Sequence, residues 1–336
     1  MNKHIKSLLV LALVVAVLLP TAFAQGQTAK KDKITIGLSW NEKIHSLIQA
    51  WQDYMQAYAK EYGEKYGIEI EWVINVAGGD PTQQASNIED LINQGVDVIV
   101  ARAHDAAAIG ASITAAHQAG IPFITFDRES SAVKPDAHVG ADSYTQAVTT
   151  AEAFAELLKE NGVQGKCIEL QGDLRDMNAV NRSKGWHDVE EALGAWETVV
   201  QIPTEWDPGK FLSGTANALE AHPDANCMFV ASDFAFEGVL TALENAGKLH
   251  PAGEEGHIWI AAQDVNPQGY EAMLNGYIDV ATTYDAYFHA VELVHMAVRL
   301  AEGDPVGAPK ILVPGRVATP ATLPDMEFIW ARDYKD

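Results

Sequence analysis

Three times in the first 130 residues, helix-forming sequence stops at a glycine and an apolar, β-branched run begins at once. Ser46 to Tyr66 ends at Gly67 before Ile68 to Val73, Thr82 to Asn93 is stopped by Gly95 before Val96 to Val100, and Ala106 to Ala119 is stopped by Gly120 before Ile121 to Phe126. A first strand, Lys33 to Leu38, precedes them. Glycine closes a helix because it tolerates the left-handed backbone there, and short apolar runs without strict alternation fit strands buried on both faces. Repeated βα units can only be closed as a parallel sheet with right-handed crossovers and helices on both sides. The pattern restarts with strands at Lys166–Leu170, Glu197–Ile202, Cys227–Ala231 and His257–Ala261, and helices at Ala179–Leu193, Lys210–Ala221 and Glu237–Ala246. With no Pro/Gly/Ser-rich linker between the halves, the chain is expected to form two doubly wound lobes facing each other across a cleft.

The N-terminus places this fold outside the cytoplasm. Lys3 and Lys6 precede the apolar run Leu8 to Leu19, then Pro20 and the small-residue step Ala22-Phe23-Ala24. That is the form of a signal peptide (1–24) cleaved near Ala24, and the run is shorter than the ~20 residues a membrane helix needs. The expected location is periplasmic. The formal net charge is −23, and loss of two lysines with the leader makes the remainder more acidic, which disfavours nucleic acid and anionic lipid. Cys167 and Cys227 open two apolar runs and read as buried structural thiols, with a disulfide the alternative. The 11 histidines lack metal-ligand spacing, so neither metal nor cofactor is expected.

Ligands of open parallel sheets bind beyond the carboxyl ends of the strands. Those ends carry Trp40, Asn41, Glu42 and His45 after the first strand, Arg102 after the third, and Asp127-Arg128 after the fourth. In the second half they carry Asp173, Asp233 and Gln263-Asp264. Polar and charged groups thus recur at one edge of both sheets.

Several segments resemble the periplasmic sugar-binding proteins of ABC transporters, in their ribose- and xylose-binding branch. They are Gln84 to Ile92 with Gly95 to Val100, Gly120-Ile121-Pro122-Phe123-Ile124-Thr125-Phe126-Asp127-Arg128, Ile168 to Gly172, Arg182 to Trp186, Asp207 to Phe211, His222 to Asp233, and Gln263-Asp264. The resemblance implies a type I periplasmic-binding-protein fold: an N-terminal lobe of 32–141 and 286–313, the latter a helix, a C-terminal lobe of 142–285 and 314–336, and a three-crossing hinge near Asp142, Asp285 and Gly315. It also implies that Asp127, Arg128, Arg182 and Asp264 bind sugar hydroxyls, with Asn178 one turn before Arg182, Gln263 as in xylose binders, and Asp285 at the hinge or on the ligand. Arg102 replaces a family Asn, and Ser232 stands beside Asp233 where relatives carry Asn. Ribose binders place two Phe where this chain has Ile44 and His45, so the stacking surface is expected from Trp40 and Trp206.

Carboxylates and guanidinium groups around an aromatic plane suit a hydroxylated ring. The expectation is a monomeric, non-enzymatic solute-binding protein that captures a neutral monosaccharide or small polyol by hinge closure and passes it to an ABC permease. The alternatives are a secreted sugar hydrolase, a same-fold sensor feeding a chemoreceptor, and a nucleoside or autoinducer binder. There is no G-x-S-x-G elbow and no phosphate-binding G-x-x-x-x-G-K loop to support catalysis.

Overall fold

The computed structural model describes residues 31–334 except 44, 305, 307–309, 328 and 333; the leader expected at 1–24 lies outside them. The chain begins with β1 (Lys33–Trp40), α1 (Ser46–Tyr66), β2 (Glu69–Val76), α2 (Pro81–Gln94), β3 (Val98–Ala101), α3 (Ile109–Gln118), β4 (Phe123–Phe126) and β5 (Ala137–Ala141). Then come α4 (Ser143–Glu160), β6 (Gly165–Gln171), α5 (Met177–Leu193), β7 (Trp196–Pro203), α6 (Pro208–Ala221), β8 (Cys227–Val230), α7 (Phe236–Asn245), β9 (Trp259–Asp264), α8 (Pro267–Leu274) and β10 (Val280–Thr283). It closes with α9 (Ala286–Ala301), β11 (Lys310–Val313) and β12 (Val317–Ala318).

Among the described residues the strands form two sheets, ordered β2-β1-β3-β4-β5-β11 and β7-β6-β8-β9-β10-β12. All pairings are parallel except β12 against β10, an antiparallel edge the sequence did not announce. The chain passes between the sheets after β5, after β10 and after β11. Residues 286–313 are not one helix. α9 stops at Ala301, Gly303 takes a left-handed φ of 76°, and the chain re-enters the first sheet as β11.

Local signals explain the boundaries. Gly95 closes α2 at φ 68° and returns its N–H to Leu91 and Ile92, while Asp80 caps the start by accepting from Thr82 and Gln83 with Pro81 in the first turn. Each lobe has its own core. Ile34, Ile36, Leu38 and Trp40 of β1 pack with α1 and α9, and Ile168, Leu170, Phe211, Phe236 and Ile260 fill the second lobe.

Free thiols are not what the structure holds: Cys167 and Cys227 form a disulfide. Parallel pairing of β6 with β8 sets them directly opposite, with Cα atoms 4.4 Å apart. That register depends on how two strands 60 residues apart align, and strand periodicity does not encode it. Trp186, Trp196 and Phe229 stack in the same cluster.

Candidate functional site

The strand ends of the two sheets enclose a cavity of about 170 Å³. This is small beside the roughly 300–1,000 Å³ of drug-sized sites and suits a single small ring. From the first lobe, Glu42, His45, Arg102, Asp127 and Arg128 line it; from the second, Asp176, Asn178, Arg182, Trp206, Ser232, Phe234, Asp264 and Asn266 do so. Ser46 and Leu47 of α1 and Tyr284 on the second crossing complete the wall.

Its charges are organised in pairs. Arg102 Nε donates to Asp127 Oδ2 at 2.5 Å, and its Nη1 donates to Asn41 Oδ1 at 2.8 Å and to Glu42. Arg182 grips Asp264 with both Nη atoms, at 3.0 and 2.5 Å, and Ser232 Oγ donates to the same carboxylate at 2.5 Å. Arg128 Nε lies 2.9 Å from Asp176 Oδ2. Burial opposes the charge on Arg182, but Asp264 outweighs it and holds the guanidinium pKa above its ordinary value. Burial likewise opposes ionisation of Glu42, yet Arg102, His45 and Arg128 hold that carboxyl well below the carboxylate range. Four carboxylates (Glu42, Asp127, Asp176, Asp264) face three guanidinium groups (Arg102, Arg128, Arg182) in the wall, so an anionic ligand would add unmatched negative charge in a desolvated space.

Several bonds join the lobes here. Asn178 Nδ2 donates to the carbonyl and Oδ1 of Asp127, both at 3.1 Å, and Tyr284 OH donates to Asp127 Oδ1 at 2.5 Å. Besides pairing with Arg128, Asp176 caps α5, with Oδ1 accepting from Asn178 N, and its Oδ2 accepts from Trp206 Nε1 at 3.0 Å. The indole lies on Gly172, where a Cβ would come within 2.0 Å of it, so only glycine leaves room for the ring. Five described non-glycine residues have left-handed backbone: Asp127, Glu205, Trp206, Asp264 and Val265. Three line the cavity and two adjoin it, the clustering expected where surrounding structure holds a site in shape.

Of the expected site residues, Glu42, His45, Arg102, Asp127, Arg128, Asn178, Arg182, Trp206 and Asp264 reach the cavity, whereas Trp40, Asn41, Asp233, Gln263 and Asp285 do not. Trp40 shares the β1 face of Ile34, Ile36 and Leu38, is fully buried, and packs against Trp51 and Phe126; period-two alternation could have sent it to the core. Asn41 lies behind Arg102 as its acceptor. Gln263 points the other way from Asp264 and donates to Thr150 Oγ1. Asp285 caps α9 through Phe288 N at 3.2 Å, while its neighbour Tyr284 faces the cavity. Asp176, Asn266, Phe234 and Tyr284 were missed. Asn266-Pro267 is a helix-start signature that marked the first turn of α8, and nothing local marked Tyr284.

Asp233 sits one layer behind. Its Oδ1 accepts from the backbone N–H and side-chain amide of Asn266, both at 2.8 Å, and Oδ2 has no partner. Burial, with the charge of Asp264 adding to it, pushes its carboxyl up to about 8. A raised carboxyl favours the folded state while protonated, so this stabilisation is complete below the ordinary carboxylate range and lost as pH rises through about 8. Asp233→Asn, which keeps the acceptor and removes the ionisation, is therefore expected to gain melting temperature relative to wild type as pH rises from 5 to 9. A wild-type-to-variant difference that stays constant over that range would contradict the assignment.

A family model for the periplasmic binding protein domain matches residues 36–305. The chain is 28% identical to the ribose import binding protein of Bacillus subtilis (strain 168), over 66% of this chain and 69% of that protein. It is 25% identical to the D-apiose import binding protein of Paraburkholderia graminis, over 79% and 80%. Among solved structures, an ABC transporter solute binding protein from Bacillus halodurans C-125 with bound myo-inositol superposes with a TM-score of 0.76 at 26% identity, covering 89% of this chain and 98% of that one.

Proposed function

Since the chain belongs to the periplasmic binding protein family, we propose that it captures a neutral monosaccharide or small polyol between its lobes and delivers it to the permease of an ABC importer. The observation that carries this reading is the cavity wall, where charge-balanced pairs (Arg102–Asp127, Arg182–Asp264) offer donors and acceptors beside the Trp206 and Phe234 rings. Hydroxyls can exchange into such pairs without leaving a charge unmatched, while the rings cover C–H surface. The units that close are 32–141 with 286–313, and 142–285 with 314–336. A ligand touching both favours the closed arrangement by its differential affinity. The protein acts outside the cytoplasm, as a monomer, after loss of the leader.

It is a binder rather than an enzyme. Asp127 and Asp264, the carboxylates a glycosidase would need, are each committed to an arginine. A thermal-shift screen of pentoses, hexoses, polyols, nucleosides and amino acids, followed by calorimetry on the hits, tests the ligand class. A sugar or polyol should raise the melting temperature and be recovered unchanged. Turnover of the sugar, or tight binding of only an amino acid or nucleoside, would overturn the reading.

A further inference from the structure

On the side of the second sheet covered by α5, among residues that do not line the cavity, a buried carboxylate faces an imidazole. Glu169 of β6 is fully buried, and its Oε1 has no hydrogen-bond partner. Its Oε2 lies 2.8 Å from His187 Nε2 and 2.8 Å from Gln201 Nε2, and those two nitrogens are 2.7 Å apart. The other ring nitrogen, His187 Nδ1, lies 2.7 Å from Glu190 Oε2. Glu190 is anchored in turn by the Thr198 N–H at 2.6 Å and the Thr198 hydroxyl at 2.8 Å.

Glu190 and Glu169 both offer only acceptors, so in the neutral ring one nitrogen must face a carboxylate without a proton; with Nδ1–H donated to Glu190, that nitrogen is Nε2, which keeps its lone pair. That lone pair meets a carboxylate oxygen at hydrogen-bond distance with nothing to share between them. A second proton on the ring would satisfy Glu169 but set Nε2–H against the Gln201 amide N–H. Turning that amide over would move the conflict to its carbonyl and Glu169. A cation satisfies all three at once: the Nε2 lone pair, the Glu169 carboxylate and the rotated Gln201 carbonyl converge on it. A carboxylate holding the distal N–H, as Glu190 does, is also the support metal-bound histidines use.

We propose that His187, Glu169 and Gln201 form a binding site for a divalent transition cation, with zinc the ion this nitrogen-and-oxygen set suits. No group of three or more His, Cys, Asp or Glu side chains able to hold a metal occurs among the described residues; here the third donor is an amide. Bonds of about 2.0–2.1 Å require the three groups to spread by about half an ångström. The His187 side chain, 35% exposed, and Gln201 on edge strand β7 leave room for that and for water to complete the shell.

Calorimetric titration of the full chain, without a polyhistidine tag, with zinc chloride in chelator-free buffer tests this. One zinc per chain is expected. His187→Gln and Glu169→Gln should each weaken binding by about tenfold or more, while His117→Gln, at a separate surface pair with Asp136, leaves it unchanged. His187 is partly exposed, so its variant remains informative if the buried Glu169 variant fails to fold. No zinc uptake by wild type, or unchanged stoichiometry and affinity in His187→Gln, would overturn the assignment.

Discussion

Arg182→Ala should lower the stability of the unliganded protein by about 3–5 kcal/mol, because it strips the cation from a carboxylate that cannot reach water. Asp264 is only 6% exposed, and Arg182 supplies both Nη contacts to it. The same substitution removes the donor to Ala231 O at 2.6 Å, a carbonyl at the end of β8. For a protein of this size the loss corresponds to a fall in melting temperature on the order of 10 °C. Arg182→Ala combined with Asp264→Ala should recover much of that loss, since it removes the stranded charge along with its partner. Melting curves of the two single variants and the pair test this, and a double variant at least as unstable as the sum of the singles would refute the account.

Asp127→Asn is the corresponding change in the first lobe, and its larger effect should be on ligand affinity. Asp127 accepts from Arg102, Tyr284 and Asn178, so one carboxylate links the first lobe, the second crossing and α5. Asparagine tolerates the left-handed φ of 59° found there, so the backbone should survive, whereas the charge-assisted bonds do not. Hydrogen bonds to charged groups contribute about 1.5–3 kcal/mol each. Affinity for the sugar or polyol found by screening should therefore drop by about 10- to 150-fold. Calorimetry at matched pH and salt reads this directly, and wild-type affinity in the variant would put the ligand elsewhere.

What the sequence determined by itself is the order of elements and the edge at which function gathers. Glycine stops at Gly67, Gly95 and Gly120 and the apolar runs after them are local instructions, carried by backbone freedom and side-chain burial within a few residues. They were enough to set Arg102, Asp127 and Asp264 at strand ends, whereas Arg182, inside α5, was marked only by the family resemblance. They also carried the answer for Trp40, whose alternation with Ile34, Ile36 and Leu38 points inward. The short strand Ala137–Ala141 was not read from the sequence, because five residues with a histidine and a glycine carry little strand signal of their own.

Tertiary structure decided what depends on partners far apart in the chain. Arg182 and Asp264 are separated by 82 positions, and Asp127 and Tyr284 by 157. Which carboxylate meets which donor follows from the crossings between sheets, to which local periodicity is blind. The Cys167–Cys227 bridge waited on the register of β6 against β8. The exchange of Asp285 for Tyr284 at the cavity turned on a single step of extended backbone, where adjacent side chains point to opposite sides. A pattern with a period of two or 3.6 residues specifies faces, but only packed lobes specify which faces meet.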